Sequence, residues 1–293
     1  MRELVILSGK GGTGKTSITA SLALLAEKKV LADCDVDAAD LHLVLSPEMI
    51  SEEDFKGSMK VFIDENKCTG CGLCQRVCRF EAIKKEVLDD QKTVFRIDEI
   101  DCEGCRLCER LCPVSAISTK EEVNGKLFVS ETRYGPLVHA RLGIAEENSG
   151  KLVAKVRERA REIAEKENLD YIITDGPPGI GCPVISSLSG ADLALIVTEP
   201  TISGTHDLER LIQVLNHFNV KGAVCINKYD INIENTDRII KMAGDRGLEV
   251  LSLIPYDDVF TKAMVAGIPV IEYSQNEVSD RIRELWKALL NKI

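Results

Sequence analysis

The residues of this chain with the clearest chemistry are its cysteines and one glycine-rich loop. Eight of eleven cysteines fall in two runs, "CTGCGLCQRVC" from Cys68 and "CEGCRLCERLC" from Cys102. Both read C-x2-C-x2-C-x3-C. Thiols this dense favour metal or cofactor ligation over disulfides in a reducing compartment. The loop is "GKGGTGKT", Gly9 to Thr16, and it satisfies G-x-x-x-x-G-K-[ST]. In such a loop the glycines let backbone N–H groups face phosphates. Lys15 reaches the β- and γ-phosphates, and the Thr16 hydroxyl is offered to Mg²⁺. Carboxylates form a third group: Asp33, Asp35, Asp37 and Asp40 crowd one short stretch, and Asp175 sits in "YIITDGPPGIG". Four carboxylates so close repel one another unless a cation or backbone donors intervene.

These groups need elements to hold them. Leu4–Leu7 reads as a strand, Thr16–Lys28 as a helix with apolar spacing at Ile18, Leu22 and Leu25, and Val30–Ala32 as a second strand. Further short apolar strands are expected at Tyr171–Thr174, Leu193–Val197, Ala223–Ile226 and Val250–Ile254. Helices at Gly150–Lys166, His206–His217, Thr236–Asp245 and Glu277–Asn291 separate or follow them. Short apolar strands alternating with helices predict an α/β fold with a parallel sheet covered on both faces. Between the second and third of these strands lies an internal repeat. "VFIDENKCTGCGLCQRVCRFEAI" matches "FRIDEIDCEGCRLCERLCPVSAI" with the cysteines offset by 34 residues. A pseudo-symmetric small domain over 60–119 is therefore expected as an insertion in a domain formed by 1–59 and 120–293.

Composition narrows the function classes. The net charge of −10 argues against non-specific nucleic-acid or anionic-membrane binding. Apolar runs such as "LALIV" are too short to span a bilayer, and "MRELVILSGKGG" reads as a first strand rather than a signal peptide. The expectation is a cytoplasmic protein with no nucleic-acid or membrane partner.

Gly9–Thr16 matches G-K-G-G-x-G-K-[ST] in full, and here the chain resembles the deviant Walker A ATPases. That group includes septum-site MinD, chromosome-partitioning ATPases, Mrp-type iron–sulfur carriers and the nitrogenase iron protein. The resemblance implies a parallel-sheet P-loop NTPase fold, Mg-dependent ATP hydrolysis and an ATP-bound homodimer in which Lys10 crosses to the partner's nucleotide. It implies catalytic roles for Lys10, Lys15 and Asp35, with Asp35 near the attacking water. Nucleotide contacts would come from Gly9, Lys10, Gly11, Gly12, Thr13, Gly14, Lys15, Thr16 and Ser17, and base contacts from Asn227 and Pro255. Mg²⁺ would involve Thr16, Asp35 and Asp175. "NKYD" at Asn227 also resembles a guanine-binding motif, which leaves GTP open.

The cysteine runs match the bacterial ferredoxin pattern, in which the fourth cysteine ligates the other cluster. One [4Fe–4S] cluster is then assigned to Cys68, Cys71, Cys74 and Cys112, the other to Cys78, Cys102, Cys105 and Cys108. Zinc would use C-x2-C pairs two at a time, which fits the pattern less well. Pro113 follows Cys112, but Arg79 follows Cys78. The whole chain resembles MinD-type ATPases containing an inserted ferredoxin domain, implying nucleotide-coupled electron transfer to a redox partner. An iron–sulfur carrier or assembly ATPase of the Mrp type is the alternative. Cys34, Cys225 and Cys182 are expected to be buried, although the nitrogenase iron protein resembles this chain in having a cluster ligand at the offset of Cys182. Arg133–Gly143, with His139 and Arg141, reads either as a partner- or anion-binding segment or as a strand-to-helix connection.

Overall fold

In the computed structural model, residues 1–88, 92–143 and 149–293 are described. Thirteen strands occur among them: β1 Arg2–Ser8, β2 Lys29–Asp33, β3 Glu48–Phe55, β4 Ser58–Ile63, β5 Ile83–Val87, β6 Thr93–Ile97, β7 Ile117–Glu122, β8 Gly125–Thr132, β9 Gly135–Leu142, β10 Tyr171–Pro178, β11 Leu193–Thr198, β12 Lys221–Asn227 and β13 Glu249–Ile254. They divide between two compact units. One comprises 1–53, 127–141 and 149–293; the other comprises 54–126 with 142–143.

The first unit is built on a nine-stranded sheet in the order β13-β12-β11-β1-β10-β2-β9-β8-β3. The pairs from β13 through β9 are parallel. Strand alternation explains how one sheet serves two cores. Leu4 and Ile6 of β1 face one cluster with Leu193, Leu195 and Val197 of β11, against helices Lys15–Leu25 and Glu277–Leu290. Val5, Leu7, Ala194 and Ile196 face the opposite cluster, with Leu208, Leu211 and Ile239 from helices Ile202–Phe218 and Ile233–Asp245. Successive strand side chains point to opposite faces, so continuous apolar runs are the signature of strands covered on both sides. Each such fully buried leucine contributes about 1.5–3 kcal/mol. Side-chain caps fix the helix starts: Thr201, Asn232 and Asn276 each accept a backbone N–H three residues on.

The sequence reading does not mark β3, β8 or β9. β8 and β9 are sheet neighbours joined by the two-residue turn Arg133–Tyr134, where Thr132 Oγ1 donates to the Gly135 carbonyl and accepts from Tyr134 N–H. Arg133–Gly143 is thus mostly the turn and a strand, rather than a strand-to-helix connection. His139 stacks on Phe128 and His42 and bonds Ser130 Oγ through Nε2 at 3.1 Å. Burial, then His42, lowers its pKa to about 4.

The second unit repeats itself about a pseudo-two-fold. β4 pairs antiparallel with β7 and β5 with β6, so Ile63 faces Ile117 and Ile83 faces Ile97. Adding or subtracting 34 converts one pair into the other. The short helices Leu73–Val77 and Leu107–Leu111 occupy equivalent places. Their caps, Gly72 and Arg106, share a left-handed backbone with φ near 70° and 65°.

Candidate functional site

The glycine loop lies between β1 and helix Lys15–Leu25, at the carboxyl ends of the parallel strands, where open α/β sheets bind ligands. Gly14 takes φ 91°, and a Cβ there would meet Asn227 Nδ2 at 2.5 Å, so the turn admits only glycine. A Cβ on Gly11 or Gly12 would meet nothing within 4 Å, which leaves the concave side of the loop open. Thr13 Oγ1 is buried without a partner among the described residues, a polar atom available to a ligand.

The charged groups around the loop satisfy one another. Lys15 Nζ lies 2.8 Å from Asp175 Oδ1, both deeply buried. Thr16 Oγ1 and Thr19 Oγ1 donate to the two Asp175 oxygens at 2.8 Å. Burial works against the Lys15 charge, but Asp175, Asp33 and Asp35 outweigh it and raise its pKa. Asp33 is fully buried and accepts N–H groups of Asp35 and Leu41, fastening the acidic loop that follows β2. Burial and then the Asp175 charge push its carboxyl well up. Asp35 is pushed to about 6, by burial first and Asp175 in addition, with Lys15 opposing.

Lys10 is held within its own chain. Its Nζ lies 2.7 Å from Glu199 Oε1 and donates to Thr201 and Ser203 hydroxyls. Lys228 takes the other oxygen, Oε2, at 3.0 Å and also donates to the Gly12 carbonyl. Burial alone would raise Glu199, but Lys10 and Lys228 hold its pKa below the usual value. Asn227 is almost fully buried; Nδ2 donates to the Thr13 carbonyl at 2.8 Å, and Oδ1 accepts the Lys228 N–H. The amide end of that side chain therefore braces the loop, and its oxygen holds the backbone of Lys228. Pro255 follows Ile254, the register partner of Asn227. Asp230 of "NKYD" accepts the Tyr256 N–H. Gly9 and Ser17 flank the cradle: a Cβ on Gly9 would collide with Asp207, and Ser17 is buried in the helix.

Glu199, Lys228 and Thr19 were not singled out by sequence. Position could have found them. Thr19 is one helical turn past Lys15, and Glu199 and Lys228 directly follow β11 and β12, at the edge that carries Asp175.

The eight clustered cysteines divide between two cavities of the second unit. Cys68, Cys71, Cys74 and Cys112 line one, with Ile63 and Phe95. Cys78, Cys102, Cys105 and Cys108 line the other, with Val61 and Ile83. Each cavity thus takes three thiols from one run and the last from the other. Among the described residues, no three metal-ligating side chains converge on one ion-sized point. Burial, with neighbouring thiols in addition, raises Cys74 and Cys102 and pushes Cys108 to about 11. Four thiolates could not crowd such an apolar cavity without a cationic core between them. The donor set, four cysteines to each, fits a four-iron cluster in each.

The scattered cysteines differ from expectation in one case. Cys34 and Cys225 are buried, with Cys225 pushed up to about 12. Cys182 is not: it is exposed at the first position of helix Cys182–Leu188, because the glycine-rich turn before it carries the chain outward.

The family model described as the CobQ/CobB/MinD/ParA nucleotide binding domain matches residues 4–270. The chain belongs to this family. Among its relatives, an uncharacterised protein of Methanocaldococcus jannaschii is 34% identical over 292 residues, covering 98% of this chain and 96% of its own length. An iron–sulfur cluster carrier protein of Pyrococcus horikoshii is 27% identical over 158 residues, covering 49% of this chain and 53% of its own. In structure, the chain is similar to the Mg-ADP complex of septum site-determining protein MinD from Pyrococcus horikoshii, with TM-score 0.59 and 19% identity over 98% of this chain and 95% of that one. The parallel-sheet P-loop fold expected from the loop is therefore the MinD/ParA one. No helix among the described residues is long and apolar enough to cross a membrane.

Proposed function

We propose that this protein is a Mg-dependent ATPase that couples its nucleotide state to electron transfer through two [4Fe–4S] clusters. One observation carries the electron-transfer half: the eight cysteines line two cavities, four to each, in crossed sets. The clusters, when bound, would supply one-electron redox chemistry. The thiols of Cys68, Cys71, Cys74 and Cys112 would hold one, and those of Cys78, Cys102, Cys105 and Cys108 the other. The residues 54–126 are then an inserted ferredoxin-type domain.

At the nucleotide site, ATP phosphates replace Asp175 as the partner of Lys15, whose raised pKa keeps it charged. Thr16 and Asp175 would hold Mg²⁺, which would offset phosphate charge when bound. Asp35 orients the attacking water, and Asn227 with Lys228 keeps the loop carbonyls turned away from the phosphates. Lys10 exchanges Glu199 for the nucleotide of a second copy, giving an ATP-bound homodimer. A redox protein completes the system.

The partial match to an iron–sulfur cluster carrier supports a second reading, in which the clusters are cargo. The test begins with anaerobically reconstituted holoprotein. About eight irons and eight sulfides per chain are expected, with ATP-dependent reduction of an acceptor and no cluster loss to an apo-acceptor. Cluster transfer without electron delivery favours the carrier. Lys10→Ala should abolish ATP-dependent dimerisation and turnover while leaving the iron content intact; unchanged turnover would remove the inter-subunit role of Lys10.

A further inference from the structure

The pseudo-two-fold gives each residue of the cysteine unit a counterpart 34 positions away, so differences between the halves stand out. The approach to Cys102 runs Asp98, Glu99, Ile100, Asp101, Glu103: four carboxylates, no cation and an isoleucine that is 90% exposed. Its counterpart before Cys68 runs Asp64, Glu65, Asn66, Lys67, Thr69, with two carboxylates, a lysine and no apolar residue. The cavity walls differ in the same sense. Phe80 and Leu107, lining the cavity of Cys78 and Cys102, are 43% and 40% exposed. Their counterparts at the other cavity are Val114, equally exposed but smaller, and the more covered Leu73.

Exposed apolar side chains bordered by charge are the anatomy of a protein docking site. Phe80 and Leu107 line a cysteine cavity whose cation, Arg106, is paired with Glu109, and Ile100 lies two residues before Cys102 of the same lining. Lys60 and Lys84 approach Glu99 and Asp101 at 3.3 Å and 3.8 Å. Such exposed pairs are weak and exchange readily for a partner's cations.

We propose that Ile100, Phe80 and Leu107, rimmed by Glu99, Asp101 and Glu103, form the docking face for a one-electron redox protein with a basic rim and an apolar centre. The opposite half, with Asn66 and Lys67 at the positions of Ile100 and Asp101, is not that face. This rests on the cluster reading above. One electron passes from the reduced iron–sulfur protein to the partner's oxidised metal, and no proton or bond moves with it.

The probe is ferric cytochrome c, a basic one-electron acceptor protein, titrated at low ionic strength with full-length holoprotein. Asp101→Lys with Glu103→Thr copies the opposite half and should weaken binding about tenfold at low salt, with the loss shrinking as salt rises. Lys67→Asp with Thr69→Glu, the reciprocal change, should not weaken it. Carbodiimide should cross-link probe lysines to Glu99, Asp101 or Glu103 in preference to Asp64 or Glu65. Should the lysine variant fold poorly, Asp101→Asn with Glu103→Gln gives the same comparison. Equal binding by wild type and the copy-two variants, absence of binding at low salt, or cross-links confined to Asp64 and Glu65 would overturn the proposal. Iron content is counted separately: protein that binds the probe on this face but holds no iron would sink the cluster reading and leave the docking face standing.

Discussion

The two units manage charge in opposite ways. In the nucleotide unit the reactive groups already answer one another: Lys15 with Asp175, and Lys10 and Lys228 with Glu199. In the cysteine unit like groups face one another, and burial raises the pKa of Cys74, Cys102 and Cys108 instead of pairing them. A site of mixed charges can close on itself and exchange internal partners for a ligand. A site of like groups cannot, so it keeps a cavity whose contents must bring the countercharge. Under the proposed function, the first kind takes a ligand that comes and goes, the second one that stays.

That contrast can be broken in several ways. Lys15→Met should lower ATPase kcat/KM by about 100-fold or more, with iron content per chain unchanged; a parallel loss of iron would mean that the two units do not act separately. Asn227→Ala removes a buried hydrogen bond to the Thr13 carbonyl and should cost about 1–3 kcal/mol, or roughly tenfold or more in nucleotide affinity. ATP and GTP should weaken alike if the residue braces the loop, whereas a selective change would show that it reads the base.

His139 offers a pH test confined to the nucleotide unit. Its folded pKa, about 4, lies below the ordinary histidine value of 6.5. The unfolded chain therefore binds more protons between those values, and stability is lost as pH falls through that window. From pH 7 to pH 5 the loss should be about 1 kcal/mol after allowing for partial exposure. His139→Phe keeps the stack and should flatten this slope in denaturant titrations. The smallest effect is expected where the two cysteine runs differ in backbone demand. Arg106 occupies the left-handed cap that Gly72 fills in the other run. Arg106→Gly should stabilise by about 0.5 kcal/mol, because relief of the left-handed strain exceeds the exposed Arg106–Glu109 pair.

What sequence revealed follows the same division. The phosphate loop is legible because its conformation depends on residues adjacent in the chain, and Lys15 with Thr16 appears where the motif puts it. The crossed lining by the cysteines is legible through the resemblance of both runs to the bacterial ferredoxin pattern, and the pseudo-two-fold through the 34-residue repeat. The bracing role of Asn227 is not, since its partner Thr13 is distant in sequence. Nor are β8 and β9, whose alternation is blurred by polar residues at a sheet margin, or the partnership of Lys10 with Glu199. Cys182 was misjudged because composition does not say which way a glycine-rich turn points.

The crossed cysteine sets are the central claim, and iron counting on paired variants tests them most directly. Cys74→Ser with Cys112→Ser removes two ligands from one cavity and should leave about four irons per chain. Cys74→Ser with Cys78→Ser removes one from each and should deplete both. The reverse outcome, four irons retained in the Cys74/Cys78 pair and depletion of both in the Cys74/Cys112 pair, would mean that each run holds its own cluster and would contradict the account.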